Sequence, residues 1–241
     1  MLQVRRRTVV PLAIVIALFS LPLFAIQSAT LTKGEIRQAE QWLAELGFWT
    51  GPIDGVWDDA SRQALIAFQK VQRARPTGRL TRAEWNALSL ASPPRPLHSP
   101  GPHLEIDVAR QVLFLVDSQG RVGNILPISS GSGKTFHEKG YPETHAITPC
   151  GQLEVYAKAS GWKTSPLGEM HNPMYIVGGI AIHGSEDMRI YPASHGCIRI
   201  PMFASYRLPK MVPKGTPVFV YGCKEEKPAL PVVQEEVAAG H

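Results

Sequence analysis

A chain of 241 residues with 44% apolar composition can bury a proper core, in one large domain or two small ones, and is not composed like a disordered protein. Its formal net charge of +5 falls largely on Arg5, Arg6 and Arg7, and without them the balance is 22 basic against 20 acidic residues. No concentrated basic field remains for phosphate binding, so a nucleic-acid partner is unsupported.

The chain opens with those arginines and an apolar run from Val9 to Ile26 that contains Pro11 and Pro22. A positive start followed by an apolar stretch reads as an export signal, and the prolines and missing polar face argue against a buried helix. Residues 1–30 are therefore expected to be a signal peptide or a membrane anchor. Ala25, Ser28 and Ala29 form no clean cleavage pattern, and the run could just span a bilayer. The expected location is the periplasm or cell wall, with anchoring to the cytoplasmic membrane left open.

Residues 31–90 read as three short helices. Thr32-Lys33-Gly34-Glu35 is a capping box ahead of Ile36, Ala39, Leu43 and Leu46, and Gly47 sits where a helix would stop. A second helix from about Asp59 to Val71 puts Ala64, Leu65, Phe68 and Val71 on one face, and Thr81-Arg82-Ala83-Glu84 starts a third. Between the first two lies the turn-rich Thr50-Gly51-Pro52-Ile53-Asp54-Gly55. Leu46-Gly47-Phe48, Gly51-Pro52-Ile53-Asp54-Gly55-Val56-Trp57 and Ala67-Phe68-Gln69 resemble the three-helix peptidoglycan-binding domain. Asp58-Asp59-Ala60-Ser61 departs from its usual Gly and Thr. Trp42, Trp49, Trp57 and Trp85 are expected to fill the small core, because a domain of this size spends its aromatics on burial.

Residues 91–102, rich in proline, are expected to be a stiff extended linker. Beyond it Leu104, Ile106 and Val108 alternate, and strands are expected at Val112 to Val116, Val122 to Ile128, Leu153 to Tyr156, Ile180 to His183, Ile198 to Ile200 and Pro217 to Tyr221. Short strands separated by Gly and Pro turns argue for a mainly β domain over 103–222, followed by a flexible tail over 223–241.

Cys150, Cys197 and Cys223 cannot all pair, so at least one thiol is available for chemistry; whether Cys150 and Cys223 join is not decided by sequence. If Ile198 and Ile200 point into the core, alternation puts His195, Cys197 and Arg199 on the other face, and His183 can meet them from a neighbouring strand. An imidazole beside a thiol can take its proton and create a nucleophile. Gly184 and Gly196 would let substrate approach the backbone, whose N–H groups could stabilise an oxyanion, and Arg199 suits a substrate carboxylate.

Ser194-His195-Gly196-Cys197-Ile198-Arg199, with Ile182-His183-Gly184, Thr148-Pro149-Cys150-Gly151 and Ser165-Pro166-Leu167-Gly168 through Met174-Tyr175, resembles the L,D-transpeptidase catalytic domain. The resemblance implies a multi-domain α and β protein: a small three-helix peptidoglycan-binding domain followed by a mainly β L,D-transpeptidase domain. It also implies a cysteine-dependent acyltransferase of peptidoglycan biosynthesis and cell-wall shape, acting on stem tetrapeptides through a thioester with release of D-alanine. Cys197 would be the nucleophile, His183 its base and Gly184 the carbonyl that orients the imidazole. Ser194, His195, Gly196, Arg199 and Tyr175 would meet substrate, with residues 131–148 as a mobile rim. Peptidoglycan is the implied partner, carbapenem-type inhibitors are implied acylating agents, and no cofactor or metal is called for. The alternatives are an L,D-carboxypeptidase or endopeptidase using water as acceptor, and a non-catalytic wall-binding protein. Gly131-Ser132-Gly133-Lys134-Thr135 is not a phosphate-binding loop, because Ile128 stands where the first glycine is needed.

Overall fold

The computed structural model describes residues 30–98, 101–137 and 142–223. The expected leader and tail lie, apart from Thr30 and Cys223, outside the described residues. Among those described, no helix is long and apolar enough to cross a membrane.

Three helices come first: α1 (Lys33–Glu45), α2 (Asp59–Val71) and α3 (Arg82–Leu90). Each starts where a side-chain oxygen satisfies first-turn N–H groups. Thr32 and Thr81 make capping boxes with Glu35 and Glu84, while Asp58 accepts from the Ser61 N–H at 2.8 Å. The residues that depart from the family's pattern thus supply a working cap. Ala39, Leu43, Leu65, Phe68 and Leu88 meet in one core, with Trp42, Trp57 and Trp85 packed against it.

The rest is built from β1 (His103–Asp107), β2 (Val112–Val116), β3 (Val122–Pro127), β4 (Thr135–Phe136), β5 (Thr144–His145), β6 (Gly151–Glu154), β7 (Ala157–Lys158), β8 (Trp162–Ser165), β9 (Gly168–Val177), β10 (Ile180–Gly184), β11 (Ile198–Ile200), the short helices α4 (Met202–Ser205) and α5 (Leu208–Met211), and β12 (Pro217–Tyr221). One sheet has the order β3-β2-β1-β12-β6; the second has β11-β10-β9-β7, with β8 paired to β9. Leu104, Ile106 and Val218 from the first sheet and Met174, Ile182 and Ile198 from the second share a single core.

The continuous apolar run of β2 follows from burial on both faces. Leu113 enters the core between the sheets, whereas Val112 and Phe114 enter the helical core together with Ile125 of β3. The helices are therefore docked on the outer face of the first sheet, where each fully buried side chain of this size contributes about 1.5–3 kcal/mol. Backbone bonds add to the seam: Trp49 N–H donates to the Ile125 carbonyl at 3.1 Å and Ile125 N–H to the Gly47 carbonyl at 2.8 Å. The proline-rich segment is strapped down as well. Leu97 and His98 N–H donate to the buried Glu105 carboxylate at 3.0 and 2.6 Å, and the His98 ring stacks on Phe219 at 4.1 Å.

Candidate active site

Strand β10 runs parallel to β11, with Ile182 beside Ile198, His183 beside Arg199 and Gly184 beside Ile200. Ile182, Ile198 and Ile200 are buried between the sheets, so His183 and Arg199 project from the opposite face. Cys197 immediately precedes β11, with the Ala181 N–H against its sulfur. On the other side of Ala181 lies Tyr175 of β9, which brings Tyr175, Cys197, His183 and Arg199 to one surface of three adjacent strands.

His195 does not belong to the strand phase expected from sequence. β11 begins only at Ile198, and Gly196 sits at φ +137°, which breaks the alternation between 195 and 197. The exposed His195 ring instead packs against Phe136 at 4.7 Å. Packing also requires both glycines. A Cβ on Gly196 would strike Ile180 and the Ile147 carbonyl, and one on Gly184 would collide with Ser205 of α4. The Gly196 N–H is already donated to Ser194 Oγ at 3.0 Å and so is not an open oxyanion donor.

Ser194 is buried and knits the loop together. Its Oγ donates to the Cys197 carbonyl at 2.5 Å, and its N–H donates to the Ser130 carbonyl at 3.0 Å. Thr148, 4% exposed, donates from Oγ1 to the Gly196 carbonyl at 2.6 Å and accepts from the Gly131 N–H at 2.9 Å. Arg199 donates from Nη1 to the Asp187 carboxylate at 2.9 Å and to its carbonyl at 3.3 Å, an ion pair made through one nitrogen of the guanidinium. Cys150 and Cys223 form a disulfide, which leaves Cys197 as the free thiol. Ser130, Thr148, Asp187 and Ser205 were not singled out from sequence; only Thr148 lay in a recognised motif.

His183 is 4% exposed, and its Nδ1 lies 2.9 Å from the Gly184 carbonyl. A carbonyl only accepts, so Nδ1 carries the proton and Nε2 keeps a lone pair. Burial lowers the imidazole to about 4, against the raising effect of its bond to Gly184. Burial pushes the Cys197 thiol up, against the pull of the Ala181 N–H and the Arg199 charge. Both shifts favour the uncharged forms, a thiol and a neutral imidazole. The Cys197 Sγ itself donates to the Gly179 carbonyl at 3.8 Å. Among the described residues no group of His, Cys, Asp or Glu could hold a metal ion.

Comparison with known proteins gives two family models, a peptidoglycan binding domain over residues 32–88 and an L,D-transpeptidase catalytic domain over residues 101–220. The L,D-transpeptidase structure from Xylanimonas cellulosilytica is 38% identical with a TM-score of 0.73, covering 78% of this chain and 93% of that one. An L,D-transpeptidase from Stackebrandtia nassauensis is 20% identical with a TM-score of 0.46, covering 78% and 90%. No curated protein matches the sequence.

Proposed function

Since the chain belongs to the L,D-transpeptidase family, we propose that it is an exported enzyme that acylates Cys197 with a peptidoglycan stem tetrapeptide and passes the acyl group to an amine. What carries this reading is the tautomer of His183: Nδ1–H is committed to the Gly184 carbonyl, so Nε2 is the free base on the face that carries Cys197.

The reaction proceeds as proton transfers between neutral partners. The Cys197 thiol gives its proton to His183 Nε2 while sulfur bonds to the carbonyl carbon of the third stem residue. Collapse of the tetrahedral intermediate breaks the amide bond to the terminal D-alanine, whose departing nitrogen takes the proton from the imidazolium. The thioester is then attacked by an amine of a second stem, which loses its proton to Nε2, and the thiol is restored. Arg199, held by Asp187, keeps a positive charge beside the site that favours a carboxylate-bearing donor. Tyr175 lines the same surface, while Ser194 and Gly196 shape the loop.

The helical module is expected to hold the glycan, and the leader to deliver the chain to the wall. Incubating the mature chain and Cys197→Ala with tetrapeptide-bearing wall fragments tests the reaction by mass. Cross-linked dimers with release of D-alanine support transpeptidation, and tripeptides alone indicate water as acceptor. Full activity in Cys197→Ala would overturn the mechanism.

A further inference from the structure

Lys70, on the last turn of α2, has no evident place in the reaction yet is only 6% exposed. Its Nζ donates to the carbonyls of Gln111 at 3.2 Å and Ile128 at 3.0 Å, both in the catalytic module. Among the described residues no carboxylate pairs with it. Burial lowers the amine to about 7, and even the neutral form has the two N–H donors that two carbonyls require. Burying an ammonium without a counter-ion is costly, so a helix face that needed only packing would be better served by an apolar side chain.

The carbonyls that Lys70 holds begin a continuous chain of hydrogen bonds. Gln111 donates from Nε2 to Ser130 Oγ at 2.6 Å and accepts at Oε1 from the Ser130 N–H at 2.9 Å. The Ser130 carbonyl accepts from the N–H groups of Ala193 and Ser194 at 2.9 and 3.0 Å. Ser194 Oγ then holds the Cys197 carbonyl and the Gly196 N–H. In parallel, Ser129, directly after Ile128, exchanges two backbone bonds with Arg199 at 3.1 and 3.0 Å. Both flanks of the Cys197 loop are thereby referred to the segment that Lys70 grips.

We infer that Lys70 is a positioning residue for Cys197, acting through Gln111, Ser130 and Ser194, so that the helical module is a working part of the catalytic unit as well as a wall anchor. The inference rests on the function proposed above. It makes the helices necessary for turnover of small substrates that carry no glycan. A 1 Å error in the nucleophile's placement is enough to cost about 10²-fold in rate.

The test uses the full chain with a soluble stem tetrapeptide as donor and a free amine as acceptor, comparing wild type, Lys70→Met, Ser130→Ala and the double variant at a temperature where circular dichroism shows each folded. The expected result is a fall in kcat of about tenfold for Lys70→Met with KM within about twofold, and a double variant little worse than Lys70→Met alone. An unchanged kcat in folded Lys70→Met, or strictly multiplicative losses, overturns the inference. Should Lys70→Met not fold, Gln111→Met cuts the chain one link nearer the loop while leaving both of Lys70's backbone acceptors, and the same criteria apply. If wild type itself does not turn over the tetrapeptide, the proposed function fails. The positioning is then read from iodoacetamide alkylation of Cys197, where equal rates in wild type, Lys70→Met and Ser130→Ala overturn it and a shared severalfold change supports it.

Discussion

The protonation state of the Cys197–His183 pair can be tested directly by titrating the thiol with pH. Burial holds the imidazole at about 4, below its ordinary 6.5, and pushes the thiol up from its ordinary range. The lowered imidazole alone disfavours moving the proton from sulfur to nitrogen by about 3 kcal/mol at ~1.36 kcal/mol per pH unit, and the raised thiol adds to this in the same direction. The neutral pair is therefore the resting state expected at pH 7. Far-ultraviolet thiolate absorbance, taken as wild type minus Cys197→Ser across pH 5 to 11, is expected to be absent at neutrality and to rise only at alkaline pH. His183→Ala should leave the neutral-pH spectrum unchanged while abolishing turnover. A full thiolate signal at pH 6 to 7 that disappears in His183→Ala would refute the reasoning and establish a pre-formed ion pair.

Further outcomes follow from the packing around the site. Gly184→Ala drives a methyl group into Ser205 and should cost about 1–3 kcal/mol and displace the carbonyl that orients His183; adding Ser205→Gly should recover part of both, as read by thermal melts and kcat. Thr148→Val keeps the volume but leaves the Gly196 carbonyl and Gly131 N–H without their partner, so a loss of about 1–3 kcal/mol is expected in urea unfolding, with slower Cys197 acylation. The Cys150–Cys223 disulfide closes a separation of 73 residues, and its removal by Cys150→Ser with Cys223→Ser should cost about 4 kcal/mol by the chain-entropy estimate. For Lys70 the sign is fixed by linkage: the unfolded chain holds a proton between about pH 7 and 10.5 that the folded chain does not. Stability therefore rises with pH in that window, by up to ~1.4 kcal/mol per unit, and urea melts at pH 7.5 and 9 should show this increment in wild type but not in Lys70→Met.

Local chemistry was legible in the sequence where a short-range rule decides the outcome. Both Thr-x-x-Glu boxes cap helices, and β11 and β12 match the residues read from alternation. β2 read as a strand because a five-residue apolar run suits burial on both sides, but nothing in that run said that its second face would meet the helices. The linker read as a spacer because proline content reports stiffness; that it is tied to Glu105 depends on a residue beyond it in sequence. His195 was misplaced because alternation holds only while the backbone stays extended, and Gly196 leaves that region. Gly184 also carries a packing requirement that no local rule announces, since its missing Cβ makes room for Ser205 of α4. The burial of Lys70 has no local signal, since the carbonyls that bind it come from residues 41 and 58 positions away.

The raised thiol pKa is also what makes a free cysteine compatible with the proposed export. In an oxidising compartment the vulnerable species is the thiolate, and susceptibility follows thiolate character and exposure. The other two cysteines are paired, so they offer Cys197 no free thiol partner within the chain. A Cys–His pair resting as an ion pair would be a standing target for oxidants. A neutral pair stays protected until an electrophile and Nε2 are engaged together, so reactivity is tied to bound substrate. That arrangement demands accuracy in place of basicity: with little thiolate present, rate depends on how well sulfur, Nε2 and the carbonyl carbon are aligned. The dense bonding of Ser130, Ser194 and Thr148 around the Cys197 loop, and its extension to Lys70 in the helices, supplies that alignment.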